Sequence, residues 1–488
     1  MTETRSDILI VGAGFAGVGL GIRLKERGIE SFTIIERGHD VGGAWRDNVY
    51  PGVACDVPSL LYSYSFRPTG EWSRVYAPGN EIWDYIRDCA IDDGVMEHIS
   101  FGVSLERAEW DTAAGEWVVR TDHGVYRAPM LIGAMGHLAD PNVIDVPGRE
   151  SFSGSIFHSA RWDPTADLAG KRVGVVGTGA SALQIIPRMA EIAGEVVVFQ
   201  RNACYVVPRA DRPYTDAERR RFARDPEAIT EARETMFWEM EANFAQRRMV
   251  PEKLAEGRAM ALGHLANQIA DPALRAKLTP EYEIGCKRVL ISNEYFPTFE
   301  KPHVTLETSG FQGFVDGRAV AASGNEYDLD ALVLATGFEA AKPIYAPHFV
   351  NGEGRSLADE WADGMHAFGS ITVNGFPNLF LINGPNTGLG HNSVLFVIES
   401  QIEFLLGMLE DYHARGLREI EVTSEAEKSY DDEVTRLSAG TVWIEGGCKN
   451  WYVDPDTGKL TVTWPDFAYA FRDHNGTYRA ADFSGVPA

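Results

Sequence analysis

Two short glycine patterns carry most of the chemical information in this chain of 488 residues. The first is Gly12-x-Gly14-x-x-Gly17 in DILIVGAGFAGVGLGIRLKERG, and the second is Gly177-x-Gly179-x-x-Ala182 in KRVGVVGTGASALQIIPRMAEIAGEVVVFQRN. Glycines so placed permit a tight turn, close approach of backbone N–H groups to a pyrophosphate, and close packing of helix on strand. Alanine in the third place still allows that packing. The same register, 24 residues beyond the first glycine, holds Glu36 in one unit and Arg201 in the other. A carboxylate accepts hydrogen bonds from free ribose hydroxyls, as in FAD or NAD, whereas a guanidinium can grip a 2′-phosphate with two parallel bonds. The first site is therefore read as FAD and the second as NADPH. Two dinucleotides in one chain point to redox chemistry, with electrons passing from nicotinamide to flavin inside the protein.

The elements around these residues must be strand, turn and helix. An apolar strand precedes each glycine pattern, and a helical pattern follows it, ending near Gly28 in the first unit. SFTIIER supplies the next strand and ends in Glu36. YDLDALVLATGFEAA gives a strand over Leu329 to Leu334 with a small-residue turn at Ala335, Thr336 and Gly337, and APMLIGAMGHLADPNVIDVPG ends in a similar turn at Gly133 to Gly136. Such turns suit the points where the chain leaves one nucleotide unit for the other. Residues 211–285 change character. Asp225 and Pro226 are suited to open a helix, and Met236, Phe237, Met240 and Phe244 follow at helical spacing with a packing face. The expected fold is α/β, with two Rossmann-like dinucleotide-binding domains and a helical insertion. The FAD domain takes residues 1–145 and 329–488 (with the C-terminal segment). The NADP domain takes 146–210, which includes a linker, and 286–328, and the insertion takes 211–285.

Composition narrows the partners. A net charge of −25 argues against nucleic acid and against an anionic membrane surface, both of which favour a basic face. The longest apolar run, Ile8 to Ile22, is interrupted by glycines and too short to span a bilayer, and the polar start lacks the pattern of a signal peptide. The five cysteines, Cys55, Cys89, Cys204, Cys286 and Cys448, lie far apart without a CxxC pair. Neither a disulfide framework nor a zinc site is expected, no metal is assigned, and the thiols are read as buried and reduced in a cytoplasmic protein. A monomer or homodimer is expected.

Between the two units lies FSGSIFHSARWD, Phe152 to Asp163. From the residues alone this is a linker anchored by Phe152 and Trp162, with Gly154 allowing an unusual backbone angle and His158 serving as a hydrogen-bonded structural histidine. Phe-x-Gly-x-x-x-His-x-x-x-Trp-Asp also resembles the fingerprint of the Baeyer–Villiger monooxygenases. GGAWRDNVYPGVACD, Gly42 to Asp56, is similar to a second signature of that family, with Gly43, Trp45, Tyr50, Pro51, Gly52 and Asp56 in register. The resemblance runs from about residue 5 to about residue 465 and is weakest in the insertion and the tail.

The resemblance implies an FAD- and NADPH-dependent enzyme that uses O2 to insert one oxygen beside a ketone carbonyl, giving an ester or lactone by way of a C4a-peroxyflavin. It assigns three residues to catalysis. Arg288 in EIGCKRVLIS would stabilise the anionic oxygen species, Asp56 would orient Arg288, and His158 would couple domain movement to the reaction. Without the resemblance, Lys287 and Arg288 read as a solvated pair. With it, Lys287 joins Arg201 at the 2′-phosphate. Trp45 and Tyr62 fall at the flavin site, the loop Asn383 to Asn392 caps the flavin ring, and Trp451 in GGCKNWYVD lies over nicotinamide and substrate; an ordinary core tryptophan is the other reading of Trp451. Cys448 is read as structural. The alternative reactions are oxygenation of a sulfur or nitrogen substrate, which Trp162 disfavours, and a redox-dependent regulator, which would not need Asp56 and Arg288. A disulfide reductase, which also has two nucleotide sites, is excluded by the missing pair of redox cysteines.

Overall fold

The computed structural model describes residues 3–487. Ile8–Val11 is an unbroken apolar run buried on both faces, as a central parallel strand must be when helices cover both sides of its sheet. It sits in the middle of a five-stranded parallel sheet ordered Leu379–Leu381, Met130–Gly133, Ile8–Val11, Phe32–Glu36, Ile99–Phe101. Helix Phe15–Glu26 leaves this sheet directly after the first glycine pattern, and helix Val394–Ala414 lies against it, opened by a Ser393 side-chain cap.

The second unit repeats the design. Its five parallel strands run Val304–Glu307, Glu195–Phe199, Arg172–Val176, Ala331–Leu334, Ser155–His158. This moves one boundary. Ala331–Leu334, expected with the FAD domain from residue 329 onward, is a strand of the second sheet, and the chain crosses back only after Gly337. A run of four buried apolar residues fits either sheet, so only pairing decides which one it joins. A third sheet centres on the antiparallel strands Leu105–Asp111, Glu116–Thr121 and Gly124–Ala128.

The fingerprint stretch is less of a linker than its position suggests. Ser155–His158 is the edge strand of the second sheet, in register with Ala331 to Leu334. Phe152 stacks on Phe314 at 4.1 Å and Trp162 meets Phe157 edge-on at 4.9 Å. Gly154 is required for space and not for an unusual backbone angle. A Cβ there would lie 2.3 Å from the Asp330 carbonyl oxygen and 2.4 Å from the Phe152 ring. Its φ lies outside the left-handed range.

The insertion is helical, as expected, with long helices over Pro226–Glu241 and Pro251–Gln268. Asp225 precedes the first of these without a side-chain capping bond. Ala228, Ile229 and Phe237 join the apolar core of the first unit, with Met236 and Met240 packed on its edge. The insertion therefore ties the second unit to the flavin unit.

The cysteine expectation needs correction. Cys286 and Cys448 form a disulfide although 162 residues separate them, with Cα atoms 6.2 Å apart. Spacing along the chain gives no sign of such a pair, because the fold alone brings the two segments together. Cys55, Cys89 and Cys204 are free and buried.

Candidate functional site

A large cavity of about 1370 Å³ opens between the two glycine patterns. Gly12 bends there with φ +107°, and a Cβ on it would stand 2.6 Å from the Ala134 carbonyl oxygen. Gly177 repeats this, with φ +111° and a Cβ position 2.5 Å from the Ala335 carbonyl oxygen. Gly14 and Gly179 line the cavity, and a Cβ on Gly179 would meet nothing within 4 Å, so that surface is open for phosphate oxygens. Gly17 and Ala182 do not line it. A Cβ on Gly17 would lie 1.9 Å from the Gly12 carbonyl oxygen, and Ala182 is fully buried, so both serve the packing of helix on strand. The cradles fit two dinucleotides.

Glu36 lines the cavity from the end of its strand, but its oxygens already have partners. They accept from the N–H groups of Ala13 (2.8 Å) and Gly38 (2.7 Å) and from Arg46 Nη1 (2.8 Å). The carboxylate thus fixes the glycine turn and keeps unused lone pairs for a ribose. Arg46 was not singled out from the sequence. It is a cavity-lining cation buried against Glu36, and the only available signal was its place inside the second signature. Trp45 donates from Nε1 to the Tyr62 hydroxyl at 3.3 Å, and Tyr62 meets Phe15 edge-on at 5.4 Å. The two predicted flavin-site aromatics therefore stand together in one wall.

At the second cradle, Lys287 donates to Asn202 at 3.1 Å and lies over the Tyr282 ring. Burial lowers its pKa, and the like charge of Arg201 lowers it further. Arg201 stays exposed at the cavity edge. Two adjacent cations that repel each other fit a doubly charged 2′-phosphate, which would relieve the repulsion. Arg201→Ala is therefore expected to raise the KM for NADPH about 10- to 100-fold, the loss of one charged hydrogen-bonding group, with little change for NADH. Equal effects on both would move the phosphate site elsewhere. With the Lys287 ammonium as a ligand of that phosphate, NADPH affinity should fall as pH rises through a Lys287 pKa that lies below the usual lysine value.

Asp56 and Arg288 face each other across the two units. Arg288 Nε donates to Asp56 Oδ2 at 2.7 Å and Nη2 at 2.6 Å, with both side chains about a third exposed to the cavity. The Asp56 charge raises the Arg288 pKa above its ordinary value, which outweighs burial and keeps it cationic. The loop carrying Asp56 is held to the second unit by Tyr50, whose hydroxyl donates to Gln184 at 2.9 Å, and by Gln184, which donates to the Ala54 carbonyl at 2.9 Å.

His158 is elsewhere. It does not line the cavity but ends the edge strand, where Nδ1 accepts from the Ala160 N–H at 3.0 Å and the ring meets Phe338 edge-on. Burial lowers its pKa, while the Gly337 backbone works the other way. It therefore sits beside the turn where the chain crosses between units.

Trp451 lines the cavity, 36% exposed, with its ring 4.5 Å from Tyr452 and 6.4 Å from His137. Tyr452 and His137 also line it, and neither was singled out from the sequence. Burial pushes His137 down to about 4, so it is neutral. The loop 383–392 borders the cavity through Asn383, Gly388, Leu389 and Asn392. Its end is held by Glu241 of the insertion, which accepts from Asn392 Nδ2 (2.7 Å), pairs with His391 Nε2 (3.0 Å) and takes the Ala468 N–H (3.1 Å).

Comparison with known proteins places this geometry in a family. Residues 5–222 match the model of flavin-binding monooxygenase-like proteins. A Baeyer–Villiger monooxygenase of Streptomyces coelicolor is 40% identical over 467 residues, which is 95% of this chain and 90% of the relative. One from Pseudomonas aeruginosa is 38% identical over 466 residues, covering 95% and 88%. The crystal structure of cyclohexanone monooxygenase from Rhodococcus sp. Phi1 bound to NADP+ superposes with a TM-score of 0.89 at 26% identity, covering 100% of both chains. The chain belongs to the Baeyer–Villiger monooxygenases, flavoproteins that use FAD, NADPH and O2 to turn a ketone into an ester or lactone.

Proposed function

We propose that Arg288 is the cation that supports oxygen transfer in this protein and that Asp56 holds it in place. FAD reduced by NADPH, when bound, would supply the chemistry that activates O2 and places one oxygen atom next to the carbonyl of a small-molecule ketone. The observation that carries this assignment is the Arg288–Asp56 pair in the wall of the cavity between the two nucleotide cradles. Asp56 takes two N–H groups of the guanidinium and fixes its plane, leaving the rest of the cation for negative charge that develops on oxygen. A cation already in position costs no reorganisation when that charge forms.

The other assignments follow from placement. Trp45, Tyr62 and Leu389 give the cavity apolar walls that exclude water from the charged intermediate stages. Lys287 and Arg201 would hold the 2′-phosphate, and Trp451 would cover nicotinamide and substrate. His158 acts as a positioning residue at the crossing between units and touches no reacting atom. Among the described residues, no helix is long and apolar enough to cross a membrane. A cytoplasmic location is part of the proposal, supported by the three buried free thiols.

The test combines the purified holoprotein, NADPH, labelled O2 and a panel of cyclic, linear and aromatic ketones, read by mass spectrometry. One labelled oxygen in an ester or lactone is the expected result and identifies the ketone class. Labelled sulfoxide or N-oxide from matched sulfur and nitrogen compounds, with no ester from any ketone, would overturn the ketone assignment.

A further inference from the structure

The disulfide joins two segments that both reach the cavity. Cys286 lies two residues before Arg288, and Cys448 lies three before Trp451 and four before Tyr452. Cys286 is fully buried, whereas Cys448 is partly exposed on a turn of two glycines, Gly446 and Gly447. The turn is built to lie flat on Cys286. A Cβ on Gly446 would fall 2.7 Å from the Cys286 Cβ, and Gly446 accepts the Glu283 N–H at 3.0 Å. Asn450 then fixes the exit from the turn, donating to the Trp443 carbonyl at 2.8 Å and accepting the Tyr452 N–H at 3.0 Å. Tyr452, Trp443, Phe244 and Cys286 form one small apolar core beneath it.

We infer that Cys286 and Cys448 form a reversible thiol–disulfide site that fastens the Trp451–Tyr452 segment to the segment carrying Arg288. With the bond made, the wall bearing Trp451 and Tyr452 is covalently tied to the segment that carries the cation. With the bond broken, the turn keeps the Glu283–Gly446 and Gly446–Val442 backbone bonds and the two Asn450 bonds, and beyond Gly446 the glycine at 447 lets it lift. Cys448 is the sulfur that solvent can reach, so a small dithiol attacks there, Cys286 leaves as thiolate, and the second thiol of the reductant completes its own disulfide. In the other direction a hydroperoxide oxidises one thiolate to a sulfenic acid with loss of water or alcohol. The second cysteine displaces the hydroxyl as water, leaving the disulfide. A disulfide in a reducing compartment is commonly of this transient kind. An enzyme that activates O2 also releases hydrogen peroxide whenever transfer fails, which supplies an oxidant of the required class. The inference rests on the roles proposed above for Arg288 and Trp451.

The test starts from FAD-loaded protein, untreated, treated with hydrogen peroxide, or treated with a phosphine reductant. Alkylation after denaturation should tag three cysteines, Cys55, Cys89 and Cys204, in the peroxide-treated protein and five in the reduced protein. Trypsin cleavage after Lys449, an exposed lysine inside the tethered turn, should be about ten-fold faster in the reduced protein, because cleavage follows the population of the opened segment. Cys448→Ser should cleave at the reduced rate without any reductant. Five tagged cysteines after peroxide treatment would overturn the site, and equal cleavage rates in the two states would overturn the fastening role. Neither readout needs a ketone, so a failed ketone panel leaves this result standing, and failure here leaves the oxygenation chemistry standing.

Discussion

Replacing Arg288 with alanine is expected to lower ester or lactone formation about 100- to 1000-fold, the usual consequence of removing one preorganised donor from an anionic transition state. Reduction of the flavin by NADPH should stay near the parent rate, since hydride passes between the two cofactors and needs no cation at the carbonyl. NADPH consumption would then yield hydrogen peroxide in place of product. The contrast is the informative part. Arg288 lines the cavity and is held by Asp56 through Nε and Nη2, so its loss enlarges the cavity and leaves Asp56 facing it without its partner. Stopped-flow reduction and product yield from the same preparation settle the matter. Parent-level oxygenation by the variant would remove Arg288 from the proposed role, and a collapse of flavin reduction would make it a folding or cofactor-binding residue.

The second large effect is expected at Glu241. Glu241→Ala should cost about 3–5 kcal/mol of stability, because it leaves three buried donors without their acceptor at roughly 1–3 kcal/mol each. The carboxylate is 2% exposed and holds His391, Asn392 and the Ala468 N–H. Those donors come from the loop that borders the cavity and from the C-terminal part of the chain, so the truncation strands polar groups in both. Denaturant unfolding of the holoprotein, with FAD retention measured alongside, checks it. A loss below about 1 kcal/mol would mean that water replaces the carboxylate.

The same cluster sets a pH dependence. Burial works to raise the Glu241 pKa, but His391, Asn392 and the Ala468 N–H outweigh it and hold it below the ordinary value. Burial lowers the His391 pKa despite the neighbouring carboxylate. Both groups then bind more protons unfolded than folded, so stability rises with pH. The His391 part is lost as pH falls below about 6.5, and the Glu241 part as it falls below about 4.5, their ordinary values. The parent should therefore lose stability on acidification through this range, and Glu241→Ala should lack the Glu241 part while keeping the His391 part, because the carboxylate that favours His391 protonation is gone.

How much of this was legible beforehand follows from the range over which each feature is encoded. The glycine cradles were readable because a turn that brings backbone N–H groups to phosphate needs glycines within six residues, and the strand and helix it joins are local too. Glu36 and Arg201 were found by their distance along the same local unit, although the sequence could not tell that Glu36 also carries Arg46 and the turn itself. Phe152, Gly154 and Trp162 were conspicuous by type, yet their stretch read as a linker. Its role as an edge strand depends on pairing with Ala331–Leu334, far along the chain.

Arg288, Asp56 and Lys287 mark the limit of local reading. As bare residues they are a basic pair and a distant acid, and only resemblance to a family joined them before the fold did. Local sequence thus determined the two dinucleotide units, the helical insertion and the order in which they occur, because hydrogen bonding and apolar periodicity act over a few residues. Tertiary structure alone decided that Asp56 meets Arg288, that Glu241 of the insertion holds the loop bordering the cavity, and that Cys286 finds Cys448. Each of these joins segments more than a hundred residues apart, and what brings such segments together is the packing of whole elements on one another.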